Sequence, residues 1–309
     1  MAANVETMMY VREKPWHGLG TMVQEAPTSA DALRLAGLNW RVEPMPLQVC
    51  GGRKVENYKA NVRSTDGAVL GVVSDRYRIC QNTDAFDFTD SLIGGDVRYE
   101  TAGSLQGGRK IWLLAKLPET KVIDDSVVPY LCFTNSHDGS GAIRAIMTPV
   151  RVVCNNTLNL ALNTAKRSWA ARHTGNIEAK LEEAKLCLEL ADKYMYELNK
   201  TADKLANITV TDEQIQQILS ELFPVKETAS DREKENAKKI KDEYMVCWYM
   251  PDIAKFRNTA WGAVNAMSDM VCHTKPLRNT QNYAENNWGR IMDGHAMLDK
   301  MMSLLSVKV

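Results

Sequence analysis

Five histidines and seven cysteines are the residues through which this chain could carry acid–base, nucleophilic or metal chemistry, and their spacing decides which. His17 stands in Pro15-Trp16-His17-Gly18. His137 precedes Asp138 in Asn135-Ser136-His137-Asp138-Gly139-Ser140-Gly141, where the carboxylate could orient the ring. His273 follows Cys272. A hydrolase would recruit these histidines with Cys154 or Cys272 as nucleophile. The sequence holds no His-Glu-x-x-His, Cys-x-x-Cys, Gly-x-Ser-x-Gly or P-loop pattern, so zinc, acyl-transfer and phosphate-cradle chemistries lack their signatures. No catalytic residue, metal ligand or cofactor is assigned on this basis. His137 keeps a second reading, an Asx-type turn in which Asn135 and Asp138 bond their own backbone and the ring points outward.

A different chemistry lies just downstream. No acidic residue occurs between Asp138 and Glu178, while Arg144, Arg151, Lys166, Arg167 and Arg172 all do. In a chain with 38 basic and 38 acidic residues this is a local basic element, and bulk charge excludes a protein that binds polyanions everywhere. Such a groove would track the phosphates of single-stranded nucleic acid, with Tyr130, Trp169 and the Trp16 loop as stacking platforms. The plainer alternative is surface charge, with Lys166, Arg167 and Arg172 favoured by a helix C-terminal dipole.

The elements that must position these residues follow from periodicity. Residues 1–38 read as an N-terminal loop around Trp16 and His17, then a short helix capped near Thr28 or Ser29. Residues 39–172 read as the α+β core. Three period-two runs separated by Gly51-Gly52 and Ser64-Thr65-Asp66-Gly67 predict an antiparallel meander. Ser74-Asp75-Arg76-Tyr77 leads to a helix capped at Asn82-Thr83-Asp84, then a hairpin over 97–117. A second hairpin turns at Asn135–Gly141, and Asn155 or Asn156 opens an Ala/Leu-rich helix. Residues 173–309 read as helical. Ile177, Leu181, Ala184, Leu188, Ala191, Met195, Leu198, Ala202 and Leu205 form a heptad seam, for a partner helix within the chain or in a second copy. Thr211-x-x-Gln214 and Ser230-x-x-Glu233 are capping boxes, ahead of Pro224 and Pro251 as stops. A Met-rich helix ends the chain. The fold class expected is α+β, mostly antiparallel in the first half and helical in the second. With 45% hydrophobic and 25% charged residues, scattered cysteines and no apolar run of membrane length, an intracellular, disulfide-free protein is expected.

The combination Pro15–Gly20, Ser74–Tyr77 with Gln81-Asn82, Asn135–Ser140, Pro149–Leu158 and Trp261–Ala266 resembles the uncharacterised phage/plasmid-like protein family, a domain of unknown function. The resemblance implies a mobile-element protein acting in the cytoplasm of a bacterial host. The order of meander, hairpin and helices is also similar in outline to phage single-strand annealing proteins. The function expected first is therefore single-stranded DNA binding of the annealing or recombination type, by a self-associating chain. A non-enzymatic inhibitor or sequestering protein directed at host defence, and a hydrolase using His17 and His137, are the alternatives. Arg76, with Trp16, His17, His137 and Asp138, completes the set of candidate functional-loop residues.

Overall fold

The computed structural model describes residues 5–12, 20–93, 98–123, 125–151, 168–273 and 295–308; the side chains of 92–93, 150–151, 185–192 and 306–308 are outside that set. Trp16, His17, Cys154, Lys166, Arg167, the helix expected from Asn155 and the first turns of the last helix lie outside the described residues. The chain is α+β, and it divides into two compact units: 1–118, 129–147 and 166–192 make the first, and 119–128, 148–165 and 193–309 the second.

The first unit holds the strands β1 (Val5–Val11), β2 (Thr21–Val23), β3 (Val42–Gln48), β4 (Lys54–Arg63), β5 (Val69–Ser74), β6 (Arg98–Leu105) and β7 (Lys110–Lys116). It also holds most of β9 (Asp125–Ser136) and β10 (Ile143–Arg151), and β11 (Ser168–Ala171). β3, β4 and β5 form the antiparallel meander expected from the two Gly-containing turns. The larger sheet runs β11-β10-β9-β7-β6-β1-β2. Its pairings β1–β6, β6–β7, β7–β9 and β10–β11 are antiparallel, and β1–β2 is parallel. β1 and β2 depart from the sequence reading, which placed a loop there, and β11 stands where the end of the Asn155 helix was expected, so Arg172 follows a strand and no helix C-terminus. Val5-Glu6-Thr7-Met8-Met9-Tyr10-Val11 is rich in strand-favouring side chains, and pairing beside β6 draws it into the sheet.

Helices α1 (Ser29–Leu35) and α2 (Asn82–Ile93) lie over one sheet face. Ala32, Ala36, Phe86 and Phe88 pack there with Ile111, Leu113, Leu131, Phe133, Ile143, Ala145 and Trp169. The first turns of α3 (Ile177–Ala206) add Ile177, Leu181 and Ala184 to the same core. Full burial of side chains of this size contributes roughly 1.5–3 kcal/mol each before the entropy of ordering them is counted. The Gln81 side-chain amide clasps β3, accepting from Val42 N at 2.9 Å and donating to Val42 O at 2.9 Å. Pro44 and Pro46 follow on the same strand at the same parity as Val42.

In the second unit β8 (Thr120–Val122) pairs with the start of β9. The unit also contains the later turns of α3, α4 (Asp212–Leu222), α5 (Asp231–Trp248), a 3-10 turn (Pro251–Phe256), α6 (Ala260–His273) and α7 (Ala296–Lys308). Both capping boxes form as their spacing requires: Thr211 and Gln214 bond reciprocally, as do Ser230 and Glu233. α6 is buried at every position from Ala260 to Ser268, which an amphipathic helix would not allow. Of the described seam residues of α3, Leu198, Ala202 and Leu205 are buried within the chain, as are Ile177, Leu181 and Ala184 in the first unit, and Met195 is half-buried. Among the described residues no helix is long and apolar enough to cross a membrane.

Gly262 sets the closest approach in this unit. A Cβ there would lie 2.1 Å from Phe256 O and 3.3 Å from the Trp248 ring, and a backbone carbonyl cannot swing aside as a flexible side chain can. Gly262→Ala is expected to destabilise the protein by about 1–3 kcal/mol through overpacking, read as a lower thermal midpoint by circular dichroism. An unchanged midpoint would show that α6 does not sit this close to the 3-10 turn.

Candidate functional site

The β9–β10 turn is where the sequence concentrated its polar residues, and local chemistry shapes it first. Ser140 N donates to Asp138 Oδ1 at 2.9 Å, the Asx turn that Asp138 favours, and Gly139 has φ +77°. Ser136 closes the loop from the other side, its Oγ accepting from Gly141 N at 2.9 Å and donating to Gly141 O at 3.0 Å. The turn is pressed against the small sheet. A Cβ on Gly71 of β5 would stand 2.5 Å from Asp138 Cα, so only glycine permits this contact.

The backbone of the turn is then paired from all sides. Asn61 Nδ2 donates to His137 O at 2.7 Å, His137 N to Arg109 O at 2.7 Å, and Tyr77 Oη to Ser136 O at 2.5 Å. Asn135 does not bond its own backbone but donates to Cys80 O at 2.9 Å. His137 does not point outward. Its ring is fully buried, edge-on to Trp40 with centroids 5.4 Å apart, and its Nε2 lies 3.0 Å from Asn82 Oδ1. Asn82 Nδ2 donates to Leu38 O and Trp40 O, which leaves Oδ1 as the acceptor and places the imidazole proton on Nε2. Nδ1 then carries a lone pair that faces no partner among the described residues.

His173, which the sequence reading passed over, completes the cluster. It stacks on Tyr77 with centroids 4.4 Å apart, donates from Nδ1 to Arg78 O at 3.0 Å, and accepts through its backbone O from Arg78 N at 2.8 Å. Desolvation pushes the His137 pKa down to about 3, with the neighbouring His173 acting in the same direction and Asp138 against it. His173 is lowered too, first by burial. Both rings are neutral clamps near neutral pH. A ring with no exposed edge cannot meet a substrate unless the turn opens, and among the described residues no group of three or more His, Cys, Asp or Glu is placed to hold a metal.

Around this buried cluster lies an uncompensated cationic rim. Arg76, Arg78, Arg109 and Arg172 are exposed, and each lies within a residue or two of the clamp or is bonded to it. Lys59 Nζ donates to Asp75 O at 3.3 Å and Tyr77 O at 2.8 Å, and Lys180 Nζ to Arg172 O at 2.8 Å and to Thr174 O. Carbonyls hold these ammonium groups without cancelling their charge. Among the described residues none of the six makes an ion pair. The acids of the neighbourhood include Asp75, Asp84, Asp138 and Glu178.

The residues singled out from the sequence are thus divided. Arg76 and Arg172 stand on the rim, and Asp138 forms the turn. Arg144 is half-buried opposite Ala170, on the sheet face that also carries Tyr130 and Cys132. Trp169 faces the other way, paired with Ala145 and only 9% exposed in the core, which closes it as a stacking platform. Arg151 ends β10 with its side chain outside the described set, and His273 ends α6 in the second unit, 3.9 Å from Asp269. Lys59, Arg78, Arg109, His173 and Lys180 were missed. The only local signal for them was the alternation Arg76-Tyr77-Arg78 and the pair Arg172-His173.

Neutral burial of His137 makes stability depend on pH. The unfolded imidazole takes up a proton near pH 6.5 while the folded one resists until about 3, so stability is full above 6.5 and falls as pH drops through that window. The expected loss is up to about 1.4 kcal/mol per pH unit from this residue, with His173 adding in the same direction. His137→Gln, which can still donate to Asn82, should flatten the denaturant-midpoint profile between pH 6 and about 4. A variant with the slope of the parent protein would show that His137 is not the titrating group.

A family model described as a domain of unknown function, DUF932, matches residues 69–290, from β5 through α6 and beyond, more than two-thirds of the chain. The matched segment contains Arg76, Arg78, Arg109, His137, Arg172 and His173, whereas β3 and β4 with Lys59 and Asn61 precede it. No curated protein and no solved structure matches the chain. The protein belongs to the DUF932 family.

Proposed function

We propose that this protein binds single-stranded DNA through the cationic rim around the Asn135–Gly141 turn. In this reading it is a mobile-element accessory protein of the annealing or recombination type, working in the bacterial cytoplasm. The observation that carries the reading is the set Lys59, Arg76, Arg78, Arg172 and Lys180, drawn together by backbone bonds at Arg78–His173, Tyr77 and Arg172, with no carboxylate paired to any of them among the described residues. Structural arginines are normally matched by acids, as Arg63 is by Glu6 and Asp66. An unmatched cluster costs self-repulsion, which an anionic ligand relieves. Arg144 lies in the same acid-free segment, on β10 beside β11. A strand of phosphates fits this array because each neutralised phosphate releases condensed counterion. His137 and His173 serve this reading as supports that hold Arg109, Arg78 and Arg172 in place.

Binding of a labelled oligonucleotide should weaken steeply as salt rises. Each phosphate contact contributes about −0.7 to the slope of log affinity against log salt for a single strand, so Arg76→Ala with Arg172→Ala should make the slope shallower by roughly 1.4. His137→Gln should leave it unchanged. Absence of binding near 50 mM salt would end the proposal and favour a protein target sought by pull-down. The annealing part requires more than one copy on a strand. Since Ile177, Leu181, Ala184, Leu198, Ala202 and Leu205 of the α3 seam are buried inside the chain, association is expected on the oligonucleotide, and light scattering should give a mass above 34.6 kDa when it is added. A monomer with and without oligonucleotide would remove annealing and leave strand binding.

A further inference from the structure

The β3–β4–β5 meander has one face turned toward the buried turn and one turned away. Asn61, Gly71 and Val73 belong to the first, through Asn61 on His137 O, Gly71 against Asp138 and Val73 against Gly139. The register places the opposite side chains in two rows, Glu43–Val62–Val69 and Met45–Ala60–Val72, followed by the pair Tyr58–Ser74. This outer face is largely apolar, with Glu43 and Ser74 at its margins and Ala60 buried between exposed neighbours. Met45 is 46% exposed, Tyr58 51%, Val69 56% and Val72 54%. Side chains of this kind gathered on one small sheet form a contiguous patch, the feature that marks an interaction surface rather than isolated surface hydrophobes.

The patch is continuous with the cationic rim. Ser74 lies opposite Tyr58, and Arg76 follows two residues later in the turn that ends β5. Lys59, next to Tyr58 in sequence, reaches Asp75 O and Tyr77 O. The acids at the border, Glu43, Glu56 and Asp75, are matched in number by Lys59, Arg76 and Arg78, and Glu56 is already paired with Lys54 at 3.6 Å. One ligand class presents flat apolar rings beside a regular line of negative charge, and that is a single-stranded nucleic acid with its bases unstacked. We propose that the outer face of the β3–β4–β5 sheet is a base-binding platform, with Tyr58 as its stacking residue beside Met45 and Val72, while the adjoining rim takes the phosphates. The inference rests on the strand-binding reading above and adds to it where the bases go. It also supplies the aromatic group that Trp169, buried in the core, cannot.

The test compares two ligands of equal length in an anisotropy assay, oligothymidylate and a fully abasic oligonucleotide that keeps the phosphates and lacks the bases. The parent protein should prefer oligothymidylate about tenfold, the effect of stacking one base. Tyr58→Ala should lose that preference by weakening oligothymidylate binding about tenfold, leaving abasic binding and the salt slope unchanged. Tyr58→Phe should retain the preference. Tyr58 is exposed, so neither substitution removes a core contact. If Tyr58→Ala binds oligothymidylate as the parent does, the platform is overturned while the cationic reading stands. If both ligands bind the parent equally, the platform is again overturned. If neither binds, both proposals fall.

Discussion

The contact between β5 and the β9–β10 turn is the constraint on which the first unit depends. Two backbones approach at Gly71 and Asp138 to a distance that no side chain tolerates. The backbone groups of the turn that this approach buries are paired, because an unpaired buried amide or carbonyl costs about 1–3 kcal/mol, whereas His137 Nδ1 is left without a partner among the described residues. Asn61, Asn82, Asn135 and Tyr77 supply those partners, each from a different segment. The small sheet, α2 and the large sheet are therefore joined by one hydrogen-bonded knot as well as by apolar packing. His137 is the knot's most demanding member, since its ring is accommodated only while neutral.

The same knot explains why charge collects on the surface above it. The segments carrying Arg76 and Arg78, Arg109 and Arg172 arrive at this place to satisfy its backbone: Arg109 O accepts from His137 N, and Arg78 exchanges two bonds with His173. Their guanidinium groups are left at the rim. Buried and exposed parts of the site are thus mechanically one object, in which the interior fixes the spacing of the cations. Arg63 is the useful contrast, because Glu6 and Asp66 raise its pKa well beyond the ordinary guanidinium value while it lies over the Trp40 ring. It is a structural arginine with its charge already answered.

Much of the architecture was legible from local signals. The meander, both hairpins and both capping boxes came from turn residues and short-range periodicity, which act within a few residues and leave a direct trace. β1 left a weaker one. Its place beside β6 is set by a partner about 95 residues away, and no local pattern records such a pairing. The site was legible in the same proportion. Arg76 and Arg172 stood out through motif and charge run, whereas Lys59, Arg109 and Lys180 are ordinary surface residues until the fold gathers them. The orientation of His137 was beyond reach for a physical reason: the Asp138 turn forms equally well with the ring outside or inside, and only the Asn82 acceptor and the Trp40 wall choose between them.

The clasp of Gln81 on Val42 bears on how the protein stays dispersed. β3 is the border of a three-stranded sheet, and such borders invite another extended chain to add itself. Here the amide of Gln81 occupies the donor and acceptor of Val42, as a one-residue strand would. The next two positions of the same parity are prolines, which have no N–H to offer. Along most of its length that border has been stripped of the donors a growing fibril would use. One of the two borders of this small sheet is thereby closed to an added strand, despite the exposed apolar side chains on its face.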